Sequence, residues 1–370
     1  MSQAEHLKFR LLSQGLIVTS EAQDYIDAAN GLRPMTPADY ASTSGLILEL
    51  EDDVWVNAPI ELYNPNFVRT SPFRLTVDGG HLAVEGGGLA SRASFWLPPA
   101  YHGTKNLDGE DLNSYAFTHG DRVRISPIEG CSMSCKFCNL PYEFRYRTKR
   151  IEGLVESVRT ALEDPIQPAH HVLISGGTPR PRDVEYVQAV YEAVAHAFPG
   201  VSVDIMMVPR DGLLDPEWLL GLGINEVSVN IEIFNEQIAK SLMRQKAAQG
   251  LDLYLDYLER AVEVLGKGRV RSMMMVGLEP LADTLAGVEA IARRGAIPVL
   301  SPFRPDPKTP LANWEPSEPE NLEETYLAAM DIVHRYGMSL GPSCIPCSHN
   351  TLTLAGPDGA TRSFGHPKMV

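Results

Sequence analysis

The chain has 370 residues, of which 44% are hydrophobic and 21% are charged, as in an ordinary globular protein. That composition excludes a disordered or fibrous chain, and the length is sufficient to bury a large core. Lys and Arg number 32 against 47 Asp and Glu, which leaves a net charge of −15. A surface this acidic repels phosphate backbones, so we expect no nucleic acid partner.

Targeting signals and cysteine usage point to the cytoplasm. The sequence has no run of about 18 apolar residues, so we expect no membrane-spanning helix and no membrane partner. The first ten residues lack the apolar stretch of a secretory signal. The five cysteines fall into two clusters, which is typical of metal or cluster ligands rather than of a disulfide framework. The sequence does not indicate an oligomeric state.

Residues 1–118 form a first region without a regular rhythm of strands and helices. One helix is predicted at 22–29, and short alternating stretches predict strands at 46–50, 54–56, 73–77 and 82–84. Glycine-rich turns separate these stretches. We expect a β-rich or mixed accessory module without a catalytic motif.

From residue 119 the pattern changes to alternating strands and helices. The predicted strands are 123–128, 171–175, 201–208, 226–233, 271–277 and 297–302. The predicted helices are 151–162, 183–197, 216–222, 252–265, 281–293 and 322–336. This order predicts an α/β fold with a parallel sheet, and six units fit an open, partial barrel better than a closed eightfold one. We assign 119–312 to the barrel and 313–370 to a C-terminal helix and tail.

A cysteine triplet follows the first predicted barrel strand. Cys131, Cys135 and Cys138 have the spacing Cx3Cx2C, on a loop at the end of the strand where barrels place their chemistry. Three thiolates can hold three irons of a [4Fe–4S] cluster and leave the fourth iron open to a reacting ligand. The alternatives are a zinc site, for which no histidine follows closely, and chance clustering of buried thiols.

The triplet, with Phe137 before its last cysteine, resembles the radical S-adenosylmethionine (SAM) superfamily, and the core is similar to the biotin synthase-like branch. The resemblance implies a partial (β/α)6 barrel in which SAM chelates the open iron of the cluster. It also implies reductive cleavage of SAM to a 5′-deoxyadenosyl radical that abstracts hydrogen from a substrate. The electron donor is then a protein such as flavodoxin or ferredoxin.

Two polar segments resemble SAM-binding motifs of this superfamily. Gly176, Gly177 and Thr178 stand where the family has GGEP, with Thr178 in place of the acidic residue, and the glycines allow close backbone approach. On the fourth strand, alternation places Ser228, Asn230 and Glu232 on one face, which suits the hydroxyls of a ribose and resembles the family's Asn-x-Asp. A structural turn and an ordinary polar strand face are the alternatives.

Three further positions follow from the same resemblance. Gly277 ends the fifth strand in a Val-Gly-Leu stretch similar to the segment that packs against adenine. Phe303 begins the loop after the sixth strand and is expected to flank the adenine together with Phe137. Arg244, after the fourth strand, is a candidate partner of the SAM carboxylate.

A second pair of cysteines stands in the C-terminal tail. Cys344 and Cys347 form a CxxC pair on a loop with prolines, and His349 follows. Four interpretations stay open: ligands of an auxiliary Fe–S cluster, a hydrogen donor to a substrate radical, a zinc site with His349, or a structural or redox-labile tail. A tail folded over the barrel mouth would bring the pair to the radical, so we treat Cys344 and Cys347 as candidate catalytic residues.

The sequence therefore predicts a radical SAM enzyme that acts on a small-molecule substrate, covered by the N-terminal module and the tail. The tail pair then assists as auxiliary cluster ligands, with sulfur insertion as one outcome, or as a hydrogen donor. An epimerase or a peptide-modifying enzyme is the alternative within this chemistry. A non-catalytic Fe–S or zinc scaffold is the alternative from another class.

Overall fold

The N-terminal module is built on a mixed sheet. The computed structural model describes residues 1–370 except residues 43 and 107. Helix α1 (Gln3–Gln14) begins the module, and Ser2 and Glu5 cap its first turn reciprocally. The elements that follow are β1 (Ile17–Val18), α2 (Ser20–Ala29), β2 (Gly45–Leu50), β3 (Val54–Pro59), β4 (Arg74–Asp78), β5 (His81–Gly86) and β6 (Leu89–Phe95).

The six strands of the module lie in the order β1-β4-β5-β6-β2-β3. Strand β1 is parallel to β4, and the other pairs are antiparallel. The expected β-rich or mixed module is confirmed, although the sequence analysis did not predict α1 or β6. The sheet and α1 share one apolar core, to which α1 contributes Leu7, Leu11 and Leu12.

The second part of the chain forms an open barrel. Its first elements are β7 (Ala116–His119), β8 (Arg122–Ile125), β9 (Ile128–Glu129), α3 (Leu140–Glu143), β10 (Arg147–Thr148), α4 (Ile151–Leu162), β11 (His171–Ile174), α5 (Val184–Ala197) and β12 (Ser202–Met206). The others are α6 (Pro216–Gly221), β13 (Glu226–Ser228), α7 (Glu236–Leu242), α8 (Arg244–Ala247), α9 (Leu251–Leu265), β14 (Val270–Val276), α10 (Leu281–Ala292), β15 (Ile297–Pro302) and α11 (Pro319–Arg335).

The barrel sheet has the strand order β15-β14-β13-β12-β11-β8-β7. Strands β8 and β11 to β15 are parallel, whereas β7 pairs with β8 in the antiparallel sense. Sequential parallel strands joined by helices form the partial (β/α)6 barrel that the sequence predicted. Strand β7 spans the expected module boundary at residue 118, and α11 packs on α10 as the sixth helix of the barrel.

The lumen of the barrel is charged at the amino ends of its strands. Arg271 forms ion pairs with Glu226 at 3.0 Å and with Asp204 at 3.6 Å, and all three side chains are buried. On β8, Val123 and Ile125 pack in the apolar core. Alternation therefore turns the side chain of Arg124, which lies between them, toward the lumen.

The C-terminal tail crosses this charged end of the barrel. Gly341 pairs with Val299 of β15, and the Ser343 hydroxyl donates to Glu226 at 3.1 Å. The tail folds over the barrel as expected, but its contacts lie where the strands begin and not at the mouth. The chain then returns to the module, where the Phe95 backbone N–H donates to Val370 at 2.6 Å. In the described part of the chain, no helix is long and apolar enough to cross a membrane.

Candidate active site

The cysteine triplet lies at the carboxyl ends of β8 and β11. All three thiols are half-buried. The Ser132 backbone N–H donates to the Thr178 carbonyl at 3.0 Å, and the Thr178 N–H donates to Cys131 Sγ at 3.2 Å. The loop after β11 therefore fixes the first cysteine through two hydrogen bonds of opposite direction.

The rest of the cysteine loop is held on its other side and at its base. The Lys136 backbone N–H donates to the carbonyl of Leu242, at the end of α7, over 2.8 Å. Strands β9 and β10 pair in the antiparallel sense and close the base of the loop at residues 129 and 147. Backbone hydrogen bonds thus hold the loop, which leaves the thiols available as ligands.

The glycine loop after β11 presses against the cysteine loop. A Cβ atom on Gly177 would overlap the Gly130 carbonyl oxygen and lie 2.9 Å from Cys131 Cα. Gly176 has a φ of +143°, and a Cβ there would overlap the Ser126 hydroxyl. Gly177 therefore packs on the cysteine loop and Gly176 packs on Ser126, and neither position has room for a side chain.

The surroundings of Cys135 and Cys138 favour the protonated form of these two thiols. Burial, assisted by Glu232, raises the pKa of Cys138 to about 11. Burial and Glu232 likewise raise the pKa of Cys135. Metal ligation requires thiolates, so these thiols lose their protons as they bind iron. Three soft donors at a solvent-accessible loop fit an iron–sulfur cluster with one open iron.

The predicted ribose-binding residues lie close together, although β13 is shorter than predicted and ends at Ser228. The Ser228 hydroxyl donates to Asn230 Oδ1 at 2.8 Å, and the Met273 backbone N–H donates to the same oxygen at 3.2 Å. Asn230 is therefore oriented by the protein through its oxygen. Among the described residues, its amide nitrogen has no hydrogen-bond partner, which leaves a donor for a ligand.

Glu232 has a strained backbone beside the cysteine loop. Its φ is +68°, which is uncommon for a residue with a side chain. Two hydrogen bonds of 2.8 Å hold that conformation: the Glu232 N–H donates to the Met273 carbonyl, and the Met275 N–H donates to the Glu232 carbonyl. The carboxylate forms a buried ion pair with Lys246 at 2.8 Å. Strain that the surroundings hold in place is typical of functional sites.

The aromatic residues expected at the adenine share one apolar cluster. Phe137 and Cys135 pack against a group of buried side chains that includes Phe303. The position of a Cβ on Gly277 is occupied by the Ser317 hydroxyl, so this glycine is required by packing against the loop before α11.

Three residues differ from the sequence prediction or were missed by it. Arg244 is exposed on α8, and no hydrogen bond or ion pair joins it to the described residues of the site. Lys246, two positions later, is buried and reaches Glu232 instead. Arg124 was missed: it is exposed on β8 between the two buried residues Val123 and Ile125, and this alternation could have identified it.

The CxxC pair lies at the opposite end of the barrel from the triplet. Cys344 and Cys347 contact Asp121, which precedes β8, and His171, which begins β11. Strand β11 alone rises about 10 Å from His171 toward the mouth, and the loop to Thr178 continues beyond it. The expected place of the pair beside a substrate radical is therefore wrong. His349 is buried but does not belong to this group.

The groups around the CxxC pair shift one another's protonation. Burial opposes the charge of Asp121, but the hydrogen bond and charge of His171, together with hydrogen bonds from Cys344 and Cys347, outweigh it and lower the pKa of the carboxyl to about 2. Burial also opposes the charge of His171, yet Cys347 and Asp121 raise its pKa to about 11. Without a metal ion, the side chains of Asp121, His171, Cys344 and Cys347 form a buried network of charged hydrogen bonds.

Comparison with known proteins agrees with the site at the barrel mouth. The sequence profile of the radical SAM superfamily matches residues 125–286. The bacteriochlorophyllide c C-7(1)-hydroxylase of Chlorobaculum limnaeum is 27% identical over 143 residues, 36% of this chain and 35% of that protein. An oxygen-independent coproporphyrinogen III oxidase from a Synechocystis strain is 22% identical over 179 residues, 44% of this chain and 38% of that protein. The chain thus matches little more than a third of the length of these curated relatives.

Two solved structures are similar to part of this chain. The hydrogenase maturase HydG from Carboxydothermus hydrogenoformans has a TM-score of 0.47 at 17% identity, over 58% of this chain and 52% of that one. A radical SAM methyltransferase from Sphaerobacter thermophilus has a TM-score of 0.45 at 15% identity, over 73% and 76%. The segment 125–286, which matches the profile of the radical SAM superfamily, contains the cysteine loop, the glycine loop and the predicted ribose-binding residues.

Proposed function

We propose that this chain is an enzyme that binds a [4Fe–4S] cluster and SAM at the barrel mouth and abstracts hydrogen from a small-molecule substrate. The observation that carries the proposal is the contact of Gly177 and Thr178 with the cysteine loop, which supports three half-buried thiols at the strand ends. When bound, the cluster supplies the electron that cleaves SAM to a 5′-deoxyadenosyl radical.

The chain's own residues have distinct parts in this proposal. Cys131, Cys135 and Cys138 hold the cluster, and the N–H groups of Met133 and Thr178 stabilise the first sulfur as a thiolate at 3.3 and 3.2 Å. Hydrogen bonds to cluster sulfurs also tune the potential of the bound group.

The proposed SAM pocket uses four side chains on two sides of the mouth. Asn230 and Glu232 bind the ribose, because one has an unused donor and the other presents a carboxylate oxygen. Phe137 and Phe303 flank the adenine from their shared apolar cluster. The glycine loop brings backbone groups close enough to bind the methionyl ammonium.

The substrate that this lumen suits is a small anion. Arg124 is surrounded by protein yet exposed to the lumen, and burial together with Arg122 lowers its pKa. No hydrogen bond or ion pair joins its guanidinium to the described residues. Cys138 and Lys149 are among its neighbours, which places it below the cysteine loop. An unpaired guanidinium in such a cavity suits a carboxylate or phosphate group.

The position of the CxxC pair bears on which reaction follows hydrogen abstraction. A hydrogen-atom donor must reach the substrate radical, whereas Cys344 and Cys347 are buried at the other end of the barrel. Epimerisation that depends on this pair is therefore disfavoured. Sulfur insertion from an auxiliary cluster on the pair is disfavoured for the same reason, and iron counts on variants of the pair test for that cluster.

The decisive experiment measures SAM cleavage after anaerobic reconstitution with iron and sulfide. We expect the reduced wild-type protein to form 5′-deoxyadenosine and methionine, first with dithionite and then with a flavodoxin or ferredoxin system. The triple variant Cys131→Ala/Cys135→Ala/Cys138→Ala should form neither product. A wild-type protein that carries about four irons per chain yet neither binds nor cleaves SAM would establish the non-catalytic scaffold instead.

The substrate proposal is tested separately with Arg124→Gln. Because Arg124 does not hold the cluster, SAM cleavage without substrate should stay within about twofold of wild type. The anionic fraction of a small-molecule extract should stimulate wild-type cleavage and not the variant. Equal stimulation of both proteins would contradict the role of Arg124, and stimulation only by the peptide fraction would favour a peptide-modifying enzyme.

A further inference from the structure

Four side chains with metal-ligating atoms meet at the amino end of the barrel. They come from three distant parts of the chain: Asp121 before β8, His171 at the start of β11, and Cys344 and Cys347 in the tail. Their ligating atoms all lie within 4.8 Å of one another. The four residues are only 1–3% exposed, so they are not a chance grouping of surface side chains.

The spacing of these atoms fits the corners of a tetrahedron. Asp121 Oδ1 is 3.1 Å from Cys344 Sγ, 3.3 Å from Cys347 Sγ and 3.1 Å from His171 Nε2. His171 Nε2 is 3.7 Å from Cys344 Sγ and 3.3 Å from Cys347 Sγ. Zinc bonds of about 2.0–2.3 Å in tetrahedral geometry separate the donors by about 3.3–3.8 Å. Shifts of a few tenths of an ångström would accommodate an ion at the centre.

We propose that Asp121, His171, Cys344 and Cys347 bind a single divalent transition-metal ion, for which Zn²⁺ is the best match. Two sulfurs, one imidazole nitrogen and one carboxylate oxygen are all ligands that zinc accepts. The site is complete with four protein ligands, which is typical of a structural rather than a catalytic zinc. It is independent of the SAM chemistry at the mouth.

The unpartnered atoms around the four ligands support an ion rather than a self-sufficient hydrogen-bond network. Asp121 Oδ2 and His171 Nδ1 are buried without a hydrogen-bond partner. Asp204 Oδ2 lies 3.8 Å from His171 Nδ1, so a small movement would give the outer carboxylate that metal-bound histidines usually have. Phe364 stacks on the imidazole at 4.2 Å and fixes its plane.

Charge and backbone geometry agree with this assignment. Two thiolates and a carboxylate carry three negative charges, which a divalent ion reduces to one, and the Arg122 guanidinium lies beside both sulfurs. The Cys347 N–H donates to Cys344 Sγ at 3.3 Å, so the CxxC turn points both sulfurs the same way. Binding releases the remaining ligand protons to solvent, so affinity should fall at low pH.

A polynuclear cluster does not fit the same four atoms. In a [4Fe–4S] cluster each protein ligand binds a different iron, and in a [2Fe–2S] cluster the four ligands are divided between two irons, so the cluster body separates them. Here the four atoms converge on one point. The histidine ligand also differs from the sequence-based zinc interpretation, because His171 takes the place expected for His349.

The ion would tie the tail to the starts of two barrel strands. Residues 121, 171 and 344–347 are joined only through long stretches of chain. Cross-linking such distant segments restricts the unfolded chain strongly. We infer that the ion closes the amino end of the open barrel.

The test uses a protein whose mouth cannot bind metal. In the full-length triple variant Cys131→Ala/Cys135→Ala/Cys138→Ala, bound zinc is counted by mass spectrometry, and Co²⁺ then replaces it as a spectroscopic probe. We expect about one zinc per chain, together with the intense near-ultraviolet bands and visible bands of tetrahedral Co²⁺ bound by thiolates.

Two histidine variants, each made in the triple cysteine variant, distinguish the proposed ligand His171 from the nearby His349. His171→Ala should weaken Co²⁺ binding at least about tenfold and change the visible bands, whereas His349→Ala should leave both unchanged. Cys344→Ser/Cys347→Ser should abolish the sulfur-to-metal bands. If a site variant does not fold, the triple variant with its intact four-residue set still decides the question.

Three results would overturn the proposal. The first is a triple variant that is isolated without metal and shows no thiolate bands on addition of Co²⁺. The second is a disulfide between Cys344 and Cys347 in protein prepared without oxygen. The third is more than one iron per chain with matching sulfide in the triple variant, which would establish an auxiliary cluster in place of the single ion.

Discussion

The two ends of the barrel both hold clustered cysteines, but the cysteines differ in burial and in partners. At the mouth, Cys131, Cys135 and Cys138 are half-buried on one loop, which backbone hydrogen bonds hold. At the amino end of the barrel, which we call its base, Cys344 and Cys347 are buried and lie close to His171 and Asp121. The contrast teaches that the partners of a thiol, rather than its sequence spacing, distinguish a reactive site from a structural one.

The strongest test of this contrast compares the two sets of cysteines in one background. Replacing the triplet with alanine should abolish iron binding and SAM cleavage but change the free energy of unfolding of the metal-free protein by less than about 1 kcal/mol. Replacing Cys344 and Cys347 with serine should preserve cluster iron but lower the free energy of unfolding by about 3 kcal/mol or more, because buried ligands lose their ion. Iron analysis and denaturant unfolding check both expectations.

The two sets of cysteines would not have separate roles if both substitutions changed cluster iron and the free energy of unfolding alike, or if their effects were exchanged. Loss of cluster iron in the Cys344→Ser/Cys347→Ser variant at full stability would mean that the two ends are not independent. Unchanged stability in that variant would remove the structural role of the base.

The second-largest effect concerns the support of the cysteine loop. Gly177→Ala places a Cβ on the Gly130 carbonyl and must displace the loop, so we expect SAM cleavage to fall at least about tenfold and cluster iron with it. Gly221→Ala is the matched control, because nothing lies within 4 Å of its added Cβ. Iron counts and 5′-deoxyadenosine formation are the measurements. Equal activity of the two variants would mean that the cysteine loop moves aside for the added methyl group without losing the cluster.

A smaller effect is expected at the Glu232–Lys246 ion pair. Glu232→Gln leaves the buried Lys246 ammonium without its charged partner, which should destabilise the fold by about 3 kcal/mol and weaken SAM binding. Glu236→Gln breaks the exposed pair with Lys240, for which less than about 0.5 kcal/mol is expected. Denaturant unfolding and SAM titration check both variants. If SAM affinity stays unchanged in Glu232→Gln, then Glu232 is a structural residue only.

The sequence predicted the mouth of the barrel better than its base for a physical reason. The cysteine triplet and the glycines at 176–177 are local motifs, and each follows directly from a strand with a clear apolar pattern. Helix 151–162 was predicted with its observed bounds because its apolar face and its neighbouring turns are also local. These features require no knowledge of which distant segments meet.

The base depends on contacts that no local pattern contains. His171 and Asp121 stand at strand starts, where a polar residue has no distinctive signal, and only folding brings them to residues 344–347. The same limit explains Arg244, which the sequence suggested, and Lys246, which the structure places at Glu232: a helical turn decides which of the two faces the site.

The smallest expected effect comes from Lys8, which anchors the tail at the base. Its Nζ atom donates to the carbonyls of Ser348 at 3.1 Å and Thr353 at 2.5 Å. Burial, partly offset by Glu5, lowers the pKa of Lys8 to about 7. The folded protein therefore binds fewer protons than the unfolded chain between about pH 7 and 10.5, so this residue makes stability rise with pH in that range and has no such effect at lower pH.

Replacing Lys8 isolates this contribution from every other titration. Between pH 7 and pH 9, the free energy of unfolding of wild type should rise by about 2 kcal/mol relative to Lys8→Met, since each pKa unit corresponds to about 1.4 kcal/mol. Lys240→Met, which removes an exposed lysine, should keep the wild-type pH dependence. Denaturant unfolding at several pH values measures both differences. Parallel curves for wild type and Lys8→Met would mean that Lys8 stays charged in the fold, and that its two carbonyl partners bind an ammonium ion at the base rather than a neutral amine.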